Sequence, residues 1–304
     1  MSQTRQPIDV DPILLNTATV DEFCSSLVAA RTTPFWTYFL PEKMLGNYSL
    51  PYKAKDGTWW YQVKPGLSWP ADVLSVRDTV PQLPLSKTFL GYQCITCRTI
   101  ANASQCINVI DHLQTYNFEN INAKRRNAIR KGIKCCTLEV ISAYSDNVVD
   151  EMLSVWNDFV RRTKWKKVIS RLLMDRILGR TLDLPGTTII AGIDTTSGRI
   201  AGFLITKVIG DTAYVDTIAS HSEYMGSNVN DLLVYSFVYS AKTCVNVTKV
   251  HYAIKSYDSK LEYFKTGMGF TPKKYPSLTI LQPGVGKLLN IVSSRSYRRL
   301  MGSM

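Results

Sequence analysis

The sequence predicts an α/β (α+β) protein, a mixed sheet with flanking helices preceded by a strand- and loop-rich extension, and three observations predict it. From Thr187 on, short apolar runs of strand length are cut by turn residues. The segments from Asp146 to Arg161 and from Val229 to Thr243 are too long for strands and carry helical patterns. From Thr33 to Ile110 the text is aromatic and proline-rich, as in PFWTYFLPEKML, TWWYQVKPGLSWPADVL and TFLGYQCITCRTI. This last part reads as strands and loops whose topology the sequence does not give.

Taken in order, the first dozen residues are polar and read as a flexible end. Thr19 to Ala30 reads as a short helix with Thr19 as its cap. YNFENINAKRRNAIRKGIKCCTLEVIS gives a basic helix, a stop at Gly132 and a strand from about Cys135 to Ile141. In the Asp146 helix, Val149, Met152, Leu153, Trp156, Phe159 and Val160 share one face. A second helix follows at about Ile169 to Leu178. TTIIAGID, IAGFLITKV and TAYVDTIAS are strands divided by a turn at Thr195 to Gly198 and a hairpin at Gly210-Asp211. The loop HSEYMGSN, the Val229 helix, the strand KVHYAI, a short helix opened by Asp258 and a last strand FTPKKYPSLTIL complete the series.

The charge is local. The chain of 304 residues holds 36 Lys and Arg against 24 Asp and Glu. Sixteen of those cations lie in three acid-free segments, 121–134, 161–171 and 284–304, which leaves 20 basic against 24 acidic residues elsewhere. Anionic partners at particular places follow, rather than a generally cationic protein. The polar start lacks a signal-peptide pattern, and LLVYSFVYSA is too short to span a bilayer. Seven cysteines without framework spacing read as reduced thiols, so a cytoplasmic protein is expected. Cys94 and Cys97 sit in a strand-like run and would face opposite ways, so no metal site is expected.

The element order, together with Asp258-x-x-Leu261-x-x-Phe264-Lys265-x-x-Met268-Gly269-Phe270, resembles the Gcn5-related N-acyltransferase (GNAT) fold over about 116–282. AKRRNAIRKGIKCCTLEV resembles the basic helix and strand of the Fem-type aminoacyl and peptidyl transferases, which are built on that fold. The resemblance implies a sheet whose central strands splay to admit a thioester donor. Around that GNAT-like domain, 116–282, the chain is expected to have a flexible 1–12, an aromatic-rich 13–115 packed on the core and a basic tail 283–304 that docks back on the domain or forms a basic amphipathic helix for a membrane surface or partner. The implied activity is N-acyl transfer to an amine from acyl-CoA or an acyl-phosphopantetheine carrier protein, with no permanently bound cofactor. Aminoacyl-tRNA as donor, or a non-catalytic module binding nucleic acid or protein, are the alternatives.

The resemblance also places the site. The bulged strand that supplies amides to the acyl oxygen falls at Val215, Thr217 and Ile218, beside Asp216 as general base or amine anchor. His221 would relay a proton and Tyr263 would protonate the leaving thiolate, since Lys265 stands where the family usually has its acidic Tyr. Gly226, Ser227 and Asn228 hold the place of the pyrophosphate loop but depart from its glycine pattern, with Glu223 and Asp231 opposing an anion there. Lys124, Arg125, Arg126, Arg130, Lys131 and Lys134 form a basic helix face for an anionic partner. His251, alternating with apolar neighbours, reads as a packing residue.

Overall fold

The computed structural model describes residues 51–302 apart from 165, 184–185 and 245–246. The predicted Thr19 helix and the flexible first dozen residues lie outside the described residues. Eleven strands join one mixed sheet: β1 (Tyr52–Lys53), β2 (Trp59–Lys64), β3 (Leu67–Pro70), β4 (Gly91–Ile95), β5 (Ala103–Ile110), β6 (Cys136–Val140), β7 (Thr187–Asp194), β8 (Ile200–Ile209), β9 (Thr212–Ser220), β10 (Lys249–Ile254) and β11 (Thr271–Leu281). Their spatial order is β1-β2-β3-β4-β11-β5-β10-β9-β8-β7-β6.

The helices are α1 (Ala123–Cys135), α2 (Asp146–Thr163), α3 (Arg171–Leu182), α4 (Val229–Thr243), α5 (Ser259–Gly267), α6 (Val285–Val292) and α7 (Ser294–Met301). Local chemistry sets their starts. Ser145, Ser170 and Asp258 accept backbone N–H bonds at the N-termini of α2, α3 and α5. Gly132 does not stop α1. It sits inside the helix, where an added Cβ would lie 3.0 Å from the Leu232 Cβ of α4, so the glycine serves close helix packing instead.

Two layers of core explain the apolar runs. On one face α1 and α4 pack over Ile190, Leu204, Ala213 and Val215; on the other α2 and α3 pack over Ile189, Ala191, Phe203 and Ile205. β7 and β8 are therefore buried on both sides and read as continuous hydrophobic text. α4 is apolar nearly all round because the sheet lies beneath it and α1 above. Among the described residues no helix is long and apolar enough to cross a membrane.

The aromatic-rich region differs from expectation in one respect. It does not merely pack on a separate core: β5 is hydrogen-bonded between β10 and β11, and β4 pairs with β11. Sheet pairing of this kind is non-local, and no short-range pattern announces it. The tail does dock back, Leu300 being buried and its carbonyl accepting from Gln93 Nε2 at 2.6 Å.

Candidate active site

The site begins where two parallel strands part. β9 and β10 share three register pairs, Thr212 with Lys249, Ala213 with Val250 and Tyr214 with His251. Beyond them β9 continues against β8 to Ser220, whereas β10 follows β5 to Ile254. Each strand is irregular at the fork. In β9, Val215 faces Thr206 and Thr217 faces Ile205, which leaves Asp216 as the extra residue of a bulge. In β10 the register shifts between His251 and Ile254, and Ala253 takes a φ of 57°. Past Tyr214 and His251 no register pair among the described residues joins the two strands.

A cavity of about 430 Å³ opens here. Tyr61, Val63, Leu67 and Trp69 line it from the N-terminal strands, and Leu281, Val285, Leu289 and Leu300 from the C-terminal segment. Its sheet end carries Lys207, Tyr214, Asp216 and His251. Lys207 Nζ lies 2.6 Å from Asp216 Oδ1, with the two side chains 7% and 11% exposed. Tyr214 donates to Asp72 Oδ1 at 3.3 Å, and its ring centroid is 4.9 Å from that of His251. Burial holds the Tyr214 phenol well above its ordinary pKa, with Asp72 adding to the rise.

His251 is 8% exposed, and burial, reinforced by the charges of Lys265 and Lys207, pushes its pKa down to about 3 against the opposing pull of Asp216. Its Nδ1 accepts from the Ala253 N–H at 3.3 Å, which puts the proton of the neutral ring on Nε2. That Nε2 is buried and has no hydrogen-bond partner among the described residues. Behind it, Lys265 is 2% exposed, donating to Ile254 O and lying 3.4 Å from Glu262, whose carboxylate also accepts from Ser256 N and Asn108 Nδ2. The lysine at the usual tyrosine position thus fixes the end of β10.

The other expected residues are dispersed. His221 is not among the residues lining the cavity; its Nδ1 accepts from Glu223 N, and it borders a separate shallow hollow with Glu151 and Arg199. Tyr263 is 48% exposed on α5, its ring under Lys124 and Arg125. Gly226 and Ser227 close a 3-10 turn, and Asn228, at φ 59°, leads into α4. In the first turn of α4, Asp231 is buried 2.9 Å from Arg125 Nη1, so the positive end of the helix already faces a carboxylate of the chain itself.

Arg125 is correspondingly committed inside the fold and is not open to an anionic partner. Arg126 pairs with the exposed Glu119 at 3.0 Å and Arg130 lies over Phe118. Lys124, Arg130, Lys131 and Lys134 keep exposed side chains on α1. Sequence reasoning passed over Lys207, set His251 aside as a packing residue and noted Lys265 only as the replacement for the family's tyrosine. A signal for His251 and Lys207 was present: each is a titratable side chain set among apolar neighbours in a strand, KVHYAI and IAGFLITKVI.

No protein-family model matches the sequence, and no curated protein matches it either. Solved structures do match. L-PGS from Bacillus licheniformis aligns over 93% of this chain and 97% of its own at 13% identity and a TM-score of 0.56. A C-terminal DUF2156 domain from Agrobacterium fabrum aligns over 94% and 98% at 11% identity and a TM-score of 0.55. FemX aligns over 91% and 98% at 8% identity and a TM-score of 0.52. Each likeness reaches well beyond 116–282 and takes in the N-terminal strands. With its parted central strands, its bulge at Asp216 and this full-length likeness, the chain has a GNAT fold, in a form shared with FemX and L-PGS.

Proposed function

We propose that the protein transfers an acyl group from a thioester donor, acyl-CoA or an acyl carrier protein, to an amine by direct attack in the cavity between β9 and β10. One observation carries this reading: the strand fork, the β9 bulge and the enclosed Asp216 meet at a single point. A neutral amine adds to the acyl carbon there, and the carbonyl electron pair moves onto oxygen. Backbone amides around Val215, Thr217 and Ile218 hold that oxyanion. Collapse restores the C=O and breaks the C–S bond, and the proton lost by nitrogen ends on the leaving thiolate. Asp216 is assigned to hold or deprotonate the amine, with Lys207 paired to its carboxylate at 2.6 Å.

Transfer from aminoacyl-tRNA is the second reading, and the Arg125–Asp231 pair favours it. A helix end that faces its own carboxylate suits a donor whose phosphates are held elsewhere, on surfaces such as the exposed lysines of α1. The test incubates the purified full chain separately with acyl-CoA, acyl carrier protein and aminoacyl-tRNA, plus a panel of amines, and reads amide products by mass spectrometry. Amides from either thioester donor support the proposal, and loss of at least tenfold in rate in Asp216→Asn supports the assigned role. Products from the tRNA arm alone replace the first reading by the second; no amide in any arm overturns both.

A further inference from the structure

The cavity is larger and more apolar than a small acyl group needs, and its polar groups are unequally satisfied. Gln93 Nε2 donates to Thr279 and to Leu300 O, Tyr214 donates to Asp72, and Lys207 pairs with Asp216. Lys64 lies at the exposed rim. Two lining donors are buried without a partner among the described residues, the Nε2 of His251 at the inner end and the indole Nε1 of Trp69 on the wall. From His251 outward the walls are mostly apolar, with Val63, Leu67 and the Trp69 ring on one side and Leu281, Leu289 and Leu300 on the other.

We propose that this cavity is a chain-binding site for a fatty acyl group, with the acyl carbonyl oxygen accepting the Nε2–H of His251 and the hydrocarbon tail lying between the N-terminal strands and α6–α7. The donor sense of the imidazole selects the ligand. Nδ1 is occupied as an acceptor by Ala253 N–H, so Nε2 offers a proton and asks for a lone pair. A carbonyl oxygen supplies one; an alkylammonium, which has donors only, does not. The ring stays neutral because of its burial and its two lysine neighbours, and a neutral imidazole can polarise a carbonyl without competing for the amine's proton. A volume of about 430 Å³ also falls in the range of enclosed small-molecule sites. The chemical step rests on the acyl-transfer reading above; the binding site does not.

The experiment uses the full chain and S-acyl-N-acetylcysteamine thioesters of two to fourteen acyl carbons, with S-alkyl thioethers and n-alkylamines of matching length as controls, by calorimetry and thermal shift. Binding is expected to tighten about fourfold for each added methylene until the cavity is full. Leu289→Trp, on a half-exposed helix position away from the sheet, is expected to shorten that limit by several carbons. His251→Phe is expected to weaken thioesters about tenfold while leaving thioethers unchanged. Affinity independent of chain length overturns the proposal, as does amine binding equal to thioester binding and indifferent to both substitutions. Length-dependent binding without transfer to any amine leaves the site standing and removes the reaction; transfer from the acetyl thioester with no length dependence does the reverse.

Discussion

At the scale of single residues, His251 shows how burial converts an ordinary histidine into a neutral group. Its imidazole is enclosed by Tyr214, Lys207, Lys265 and Asp216, and protonation would place a third positive charge beside two lysines. The sign of the resulting pH effect is fixed. The unfolded chain takes up a proton near pH 6.5, whereas the folded ring resists until about pH 3, so above 6.5 the group is neutral in both states and stability is unaffected. As pH falls from 6.5 toward 3, the unfolded state gains at about 1.4 kcal/mol per unit from this group. Urea denaturation of the native chain and of His251→Gln between pH 4 and 7 is expected to show the variant losing less stability on acidification. A parallel pair of curves would mean that the ring titrates normally. Asp216, which the sequence flagged, and His251, which it set aside, prove to be two sides of the same fork.

At the scale of elements, the seating of α4 depends on two glycines. Gly192 of β7 and Gly202 of β8 are register partners, and both lie under Val229, the first residue of α4. A Cβ on Gly202 would come within 2.8 Å of Ala219 O and 3.0 Å of Val229 Cγ1. Gly202→Ala is therefore expected to destabilise the fold by about 1–3 kcal/mol through overpacking, read as a lower urea midpoint with an unchanged slope. Gly198→Ala, where open space surrounds the added carbon, is the contrast for sterics, although its φ of 68° carries its own smaller strain cost. The strands and helices from Ala123 on were legible because each is amphipathic or continuously apolar at its own period. Gly132 was misread as a helix stop because the sequence does not say that a second helix lies against it.

At the scale of the whole molecule, β5 links the two ends of the chain. It pairs with β10 on one side and with β11 on the other, so residues 103–110 are central to the sheet that residues 249–281 complete. A fragment beginning at residue 116 would leave β10 with one unpaired edge and β11 with neither of its strand partners, and would uncover Ile254 and Leu278. Such a fragment is expected to lack a cooperative unfolding transition by circular dichroism, and a sharp two-state melt would contradict this account of the sheet. The cavity belongs to the same scale, since its walls come from β2, β3, β4, β8, β9, β10, β11, α6 and α7 together.

By itself the sequence determined the order and kind of elements from α1 to β11, the hairpin at Gly210-Asp211, the strand that would bulge and the carboxylate beside it. These follow from local periodicity, turn chemistry and a resemblance carried by short motifs. Only the tertiary structure decided that β5 enters the sheet, that Arg125 turns inward to Asp231, that His221 and Tyr263 stand apart from Asp216, and that His251 faces an apolar cavity. Those outcomes depend on pairings between residues far apart in the chain. Burial and the direction of a side chain at such pairings are properties of neighbours that sequence spacing does not encode.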